Sequence, residues 1–112
     1  MPEKRNNKRH LKRLNLMFGT DKPYHVGFTV DISETGIFLK ATKVYPPDTI
    51  VTIELSIRNH HIVRFQGQVR WAKTVPPNLI HIIKKAGMGI RIVKFLMGEK
   101  EYHNLVEVSS LS

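Results

Sequence analysis

Residues 25–39 read HVGFTVDISETGIFL, and this stretch decides the fold. Residues 25–32 are rich in β-branched and aromatic side chains, with Val26, Phe28 and Val30 on one face, as in a strand. Ser33-Glu34-Thr35-Gly36 follows as a turn. Serine fixes tight turns through bonds to nearby backbone groups, and glycine permits positive φ or a close backbone approach. Ile37-Phe38-Leu39 then opens a second strand. Strand, four-residue turn and strand make an antiparallel hairpin.

The same period-two pattern recurs on both sides of this hairpin. Upstream, Leu14, Leu16 and Phe18 alternate with Asn15 and Met17, in a strand expected to run from Leu11. A turn cluster at 19–23 separates it from the hairpin. Downstream, Pro46-Pro47-Asp48 breaks the chain, and Val51, Ile53, Leu55 and Ile57 alternate with polar residues. Residues 62–73 form a long strand, with Val63, Phe65, Gly67, Val69 and Trp71 on one parity. Gly67 in its middle predicts a bulge or a close backbone approach. Residues 87–95 read as the last strand. Tyr102, Leu105 and Val106 recur at helical spacing after Glu99 and Glu101, which predicts a helix over about 98–108. Short strands between turns predict an all-β fold, a small six-stranded antiparallel β-barrel with a short C-terminal helix. The division is a flexible basic N-terminal arm over 1–10 and a barrel with its helix over 11–112.

Composition narrows the function. The 112 residues suffice for one domain, and the formal net charge is +9. Six of the 18 basic residues fall in the first 13 positions, against the single acid Glu3. Such an imbalance favours anionic partners. There are no cysteines, which excludes disulfides, cysteine-bound zinc and thiol catalysis. The six histidines fit no common zinc spacing. No apolar run reaches membrane-spanning length, and no apolar core follows the basic N-terminus as in a secretory signal, so a cytoplasmic protein is expected. No nucleophile–base pairing, P-loop or dinucleotide fingerprint is present, and a non-enzyme is expected.

Two features carry recognition chemistry. Arg5-Asn6-Asn7-Lys8-Arg9 is an Arg-x-x-x-Arg, and the register Arg9 to Arg13 fits the same spacing. A guanidinium fork makes bidentate bonds to phosphate, matches the O6 and N7 acceptors of guanine, and stacks on purine faces. Arg5 and Arg9 are preferred, because Leu11 already belongs to the strand pattern. Asp31-Ile32-Ser33-Glu34-Thr35-Gly36 is an Asp-x-Ser-x-x-Gly, whose Asp31 can accept from guanine N–H donors and whose Ser33 can bond a phosphate or base edge. Either feature alone is commonplace: a solvated basic arm, and an ordinary β-turn.

Together, in this order, they resemble the PilZ domain family. Gln68-Val69-Arg70-Trp71 and Gly87-Met88-Gly89-Ile90-Arg91-Ile92 are similar to that family's fifth-strand and last-strand patterns. The resemblance runs from Lys4 to the C-terminal helix. It implies a six-stranded barrel that binds cyclic di-GMP, with Arg5, Arg9, Asp31, Ser33 and Gly36 as ligand residues. Lys4 stands where members often carry a residue that affects ligand stoichiometry, and Lys4, Arg13 and Trp71 are possible additional contacts. It also implies a downstream protein partner in motility, pilus, exopolysaccharide or biofilm control, with ordering of the arm as the output. No cofactor is expected besides the ligand. Two alternatives are a nucleotide-independent PilZ-type subunit of type IV pilus assembly, and a basic β-barrel that binds nucleic acid. The second is disfavoured because the aromatics fall mostly on buried parities. The apolar 75–86 insertion reads as a flap or as a partner surface.

Overall fold

The computed structural model describes residues 8–58, 61–74 and 86–110. Its elements run β1 (His10–Leu11), β2 (Asn15–Gly19), β3 (His25–Ile32), β4 (Gly36–Ala41), β5 (Ile50–Ser56), β6 (Ile62–Lys73), β7 (Ala86–Met97) and α1 (Glu99–Ser110). Every pairing is antiparallel. β2 pairs with β3 and β5, β3 with β4, β4 with β7, β7 with β6, and β6 with β5, so six strands close on themselves. β1 extends the β2 position along the same strand, β3. Closure leaves no free edge among the six, and side chains fill the interior.

The alternation read from the sequence builds the core. Leu16 and Phe18 of β2, Leu39 of β4, Val51, Ile53 and Leu55 of β5, and Val63, Phe65 and Val69 of β6 all point inward and are buried. Helix α1 covers one end of the barrel with Tyr102, Leu105 and Val106. Tyr102 stacks against Phe95 at 5.6 Å and Phe65 at 6.2 Å between ring centroids. A twelve-residue helix is marginal alone, so this packing is what holds it.

Two expectations, the N-terminal strand and the parity of Trp71, need correction. The N-terminal run is not one strand from Leu11: β1 begins at His10, Leu11 is 85% exposed, and the ladder breaks before β2. Val26, Phe28 and Val30 share a face, but it is the outer one; the inner face of β3 carries the fully buried Thr29. Trp71 does not share the parity of Val69. The register shifts between them, with Val69 facing Ile90 and Trp71 facing Gly89, so the extra residue Arg70 turns Trp71 outward. Gly67 faces a bulge on the partner strand, since Gln66 pairs with Lys94 and Gly67 with Ile92. The predicted turn at Asn59-His60, residues 75–85 of the insertion, and Lys4 and Arg5 lie outside the described residues.

A Cβ on Gly67 would sit 2.4 Å from Ile90 Cγ2, on a β-branched side chain with little freedom to yield. Gly67→Ala is therefore expected to destabilise the barrel by about 1–3 kcal/mol through overpacking. That corresponds to a fall of roughly 4–8 °C in Tm per kcal/mol for a domain of this size, readable by thermal unfolding in circular dichroism.

Candidate ligand site

The site is assembled around the β3–β4 turn. Ser33 is buried, and its hydroxyl closes the turn. Ser33 Oγ accepts from the Gly36 and Thr35 N–H groups at 3.2 and 3.3 Å and donates to the Gly36 carbonyl at 3.2 Å. The Ser33 N–H adds a bond to the same carbonyl at 2.9 Å. The structure thus places the Ser33 hydroxyl inside the turn rather than on its surface. Gly36 does not have positive φ. Its role is close approach: a Cβ there would lie 2.3 Å from the Ile90 carbonyl oxygen of β7. This tight meeting brings Arg91 into register with Gly36.

Asp31 lies on the outer side of the barrel because β3 bulges just before it: Thr29 pairs with Leu39 and Asp31 with Phe38. Its carboxylate accepts from Arg9 Nη1 at 2.7 Å, and the two side chains are 17% and 49% exposed. An ion pair this open to water is worth about 0.2–1 kcal/mol. The structure brings Arg9 and Asp31 together.

An open cavity of about 440 Å³ adjoins this pair, lined by Arg9, Thr35, Arg70, Trp71, Gly89, Ile90 and Arg91. Trp71 is the aromatic member of that lining. Trp71 lies against Gly89, where a Cβ would stand 2.1 Å from the indole Nε1, and packs on Phe38 at 5.1 Å between centroids. Trp71 therefore lines the cavity through a flat, 44% exposed indole. Three arginines line the cavity, and among the described residues no salt bridge engages Arg70 or Arg91. Unpaired cations beside an exposed aromatic suit a ligand with both phosphate and planar rings.

Arg13 lies elsewhere. Its guanidinium sits 3.8 Å from the Phe28 ring centroid, in a separate cleft with Asn15, Met17 and Val26. Sequence reasoning did not propose Arg70 and Arg91. The available signal was their position, Arg70 before Trp71 and Arg91 after the Gly-Met-Gly run, but only the fold sets Arg91 opposite Gly36 and brings Arg70 into the same cavity as Thr35.

Helix α1 grips the turn from behind. The Tyr102 hydroxyl donates to the Ser33 carbonyl at 2.6 Å, and His103 Nδ1 lies 2.9 Å from Glu34 Oε1. Burial pushes the Tyr102 phenol well above its ordinary value of 10, partly opposed by the bond to Ser33 and reinforced by the Glu34 charge. The folded state must keep a proton that the unfolded chain releases. The resulting stability is fully present below pH 10 and is lost as pH rises beyond it.

Among the described residues, no helix is long and apolar enough to cross a membrane, and no cluster of three metal-ligating side chains occurs. The family model for the PilZ domain matches residues 3–104. No curated protein matches the chain significantly. Among solved structures, it is similar to the Bacillus subtilis inhibitor of motility MotI/DgrA, with a TM-score of 0.66 at 12% sequence identity. The match covers 90% of this chain and 47% of that one, so the chain spans about half the length of its structural neighbour.

Tyr102→Phe is expected to lower stability by about 1–2 kcal/mol through the missing bond and the unpaired Ser33 carbonyl. It is also expected to flatten the decline in stability between pH 9 and 11, a comparison that chemical denaturation of both proteins at stepped pH makes directly.

Proposed function

This chain belongs to the PilZ domain family, and we propose that it is a non-catalytic receptor for cyclic di-GMP that couples ligand binding to a protein partner. The observation that carries the reading is the cavity beside the Asp31–Gly36 turn, where Arg9, Arg70 and Arg91 surround an exposed Trp71. Cyclic di-GMP offers two phosphates and two guanines. Guanidinium forks match the phosphate oxygens and the guanine O6 and N7 acceptors. The indole offers a stacking face, and the Asp31 carboxylate accepts guanine N–H donors once Arg9 turns to the ligand.

In this reading Asp31 contacts the base, while Ser33 and Gly36 act by shaping the turn and by letting the ligand approach its backbone. Arg5 joins Arg9, and the 1–10 arm folds over the bound dinucleotide. The new surface made by arm and ligand is what the partner reads. Lys4 then lies beside the ligand, where its single ammonium neutralises phosphate without the stacking an arginine would give. Motility, pilus, exopolysaccharide or biofilm control is the setting this reading supports, in the cytoplasm where the dinucleotide is made and sensed.

Calorimetric titration tests the assignment. Cyclic di-GMP is expected to bind, and a generic oligonucleotide to bind weakly or not at all. Arg9→Ala, Arg70→Ala and Arg91→Ala are each expected to lower affinity about tenfold or more, the equivalent of one charged hydrogen bond at ~1.5–3 kcal/mol. A full-length protein that ignores the dinucleotide at micromolar concentration would exclude the reading. Protease protection of residues 1–10 by ligand tests the arm, and identical cleavage with and without ligand would remove it from the mechanism.

A further inference from the structure

Thr29 stands where two irregularities of the barrel face each other. On its own strand the register shifts between Thr29 and Asp31. Across from it, the N-terminal run leaves the ladder between Leu11 and Asn15. The Thr29 side chain is fully buried, and it and Ser33 are the two buried polar side chains among the described residues. Thr29 Oγ1 donates to the Lys12 carbonyl at 2.6 Å and accepts from the Leu14 N–H at 2.8 Å. The Thr29 N–H donates to the Leu14 carbonyl at 2.9 Å, and the Lys12 N–H to the Val30 carbonyl at 3.1 Å.

A buried hydroxyl is unfavourable unless its bonding capacity is used. Here both capacities are used by one segment, Lys12–Leu14, which follows β1 and carries Arg13 at its centre. A valine would fill nearly the same volume and strand a carbonyl and an N–H inside the barrel. The hydroxyl supplies the ladder bonds that the backbone forgoes at the break.

We propose that Thr29 is a positioning residue for ligand binding: its hydroxyl fixes where the N-terminal run leaves the barrel wall and thereby holds the Arg9 guanidinium at Asp31. In β1, His10 faces Ile32 and Leu11 faces Asp31. A slip of one residue would reverse both faces of that short pairing and carry Arg9 away from its carboxylate. Arg9 and Arg13 flank β1 and go to different places, Arg9 to Asp31 and Arg13 to Phe28. The hydroxyl thus selects which arginine enters the site. The affinity part of this inference rests on the cyclic dinucleotide reading; the placement of the run does not.

The experiment has two arms. In calorimetry with cyclic di-GMP, Thr29→Val is expected to bind about tenfold more weakly than wild type, as when one charged hydrogen bond to the ligand is misaligned, while Thr29→Ser stays within about threefold. Added to Arg9→Ala, Thr29→Val should cause no further weakening, because it acts through Arg9. In the ligand-free protein, hydrogen exchange at the Lys12 and Leu14 amides should accelerate about tenfold or more in Thr29→Val, with amides of β5 unchanged. Wild-type affinity in Thr29→Val, or an effect fully additive with Arg9→Ala, would overturn the assignment. If Thr29→Val does not fold, Thr29→Cys and Thr29→Ser form a second pair of similar size and unequal hydrogen-bonding strength; equal affinities in that pair overturn it as well. If wild type itself ignores the dinucleotide, the functional reading falls, and the exchange arm still decides whether Thr29 places the run.

Discussion

The close approach of Gly36 to the β7 backbone is the constraint on which the ligand face depends. Pairing of β4 with β7 is one of the six seams that close the barrel, and it begins at Gly36 opposite Arg91. The space left for a Cβ at Gly36 is 2.3 Å from a backbone carbonyl, which no side chain can share. Because the strands meet that tightly, the turn formed by Ser33–Gly36 is pressed against β7, and Arg91 of β7 arrives beside the turn. The Ser33 hydroxyl completes the arrangement with three bonds, all within the turn. A turn bonded in this way from its own interior presents a fixed edge to whatever binds.

Irregularities of register do the rest. A strand without bulges puts alternate residues on opposite faces. Asp31 would then point inward with Thr29, and Trp71 inward with Val69. One extra residue in β3 and one in β6 reverse both, and each reversal delivers a site residue to the outside. Bulges beside functional positions are local departures from the rule that builds the core, and here the core tolerates them. Thr29 and Ile32 stay buried on either side of the first, and Val69 and Met88 around the second.

The same irregularities set the limit of what was legible in the sequence. The strand count, the C-terminal helix and the inward sets of β2, β5 and β6 follow from period-two and period-3.6 patterns, which are local. Arg9 and Asp31 were legible as residue types whose chemistry suits a guanine nucleotide, and the fold brings them to 2.7 Å. Arg70, Arg91, the outward turn of Trp71 and the buried hydroxyl of Thr29 were not. Each depends on which residue of a distant strand lies opposite, and a one-residue shift between strands leaves no mark on either strand's own alternation. At β3 the alternation set a shared face for Val26, Phe28 and Val30 but not which side of the barrel it takes. Val26 and Phe28 look like core, but the inner side of that strand is occupied by Thr29, whose hydroxyl serves the neighbouring backbone.

The distribution of bond strength around the site indicates which part yields when a ligand arrives. The turn is held from inside by Ser33 and from behind by Tyr102, all through buried bonds that exchange poorly with water. A buried hydrogen bond left unmade costs about 1–3 kcal/mol, so moving the turn would forfeit several such bonds. Arg9 is held by one half-exposed ion pair worth about 0.2–1 kcal/mol. A phosphate or guanine edge returns more than that to the guanidinium, at ~1.5–3 kcal/mol for a charged hydrogen bond. The aspartate is then freed for N–H donors, and both members of the broken pair gain new partners. In the proposed reading, ligand binding re-aims a side chain against a rigid edge, and any larger change would be carried by the chain attached to Arg9 rather than by the barrel.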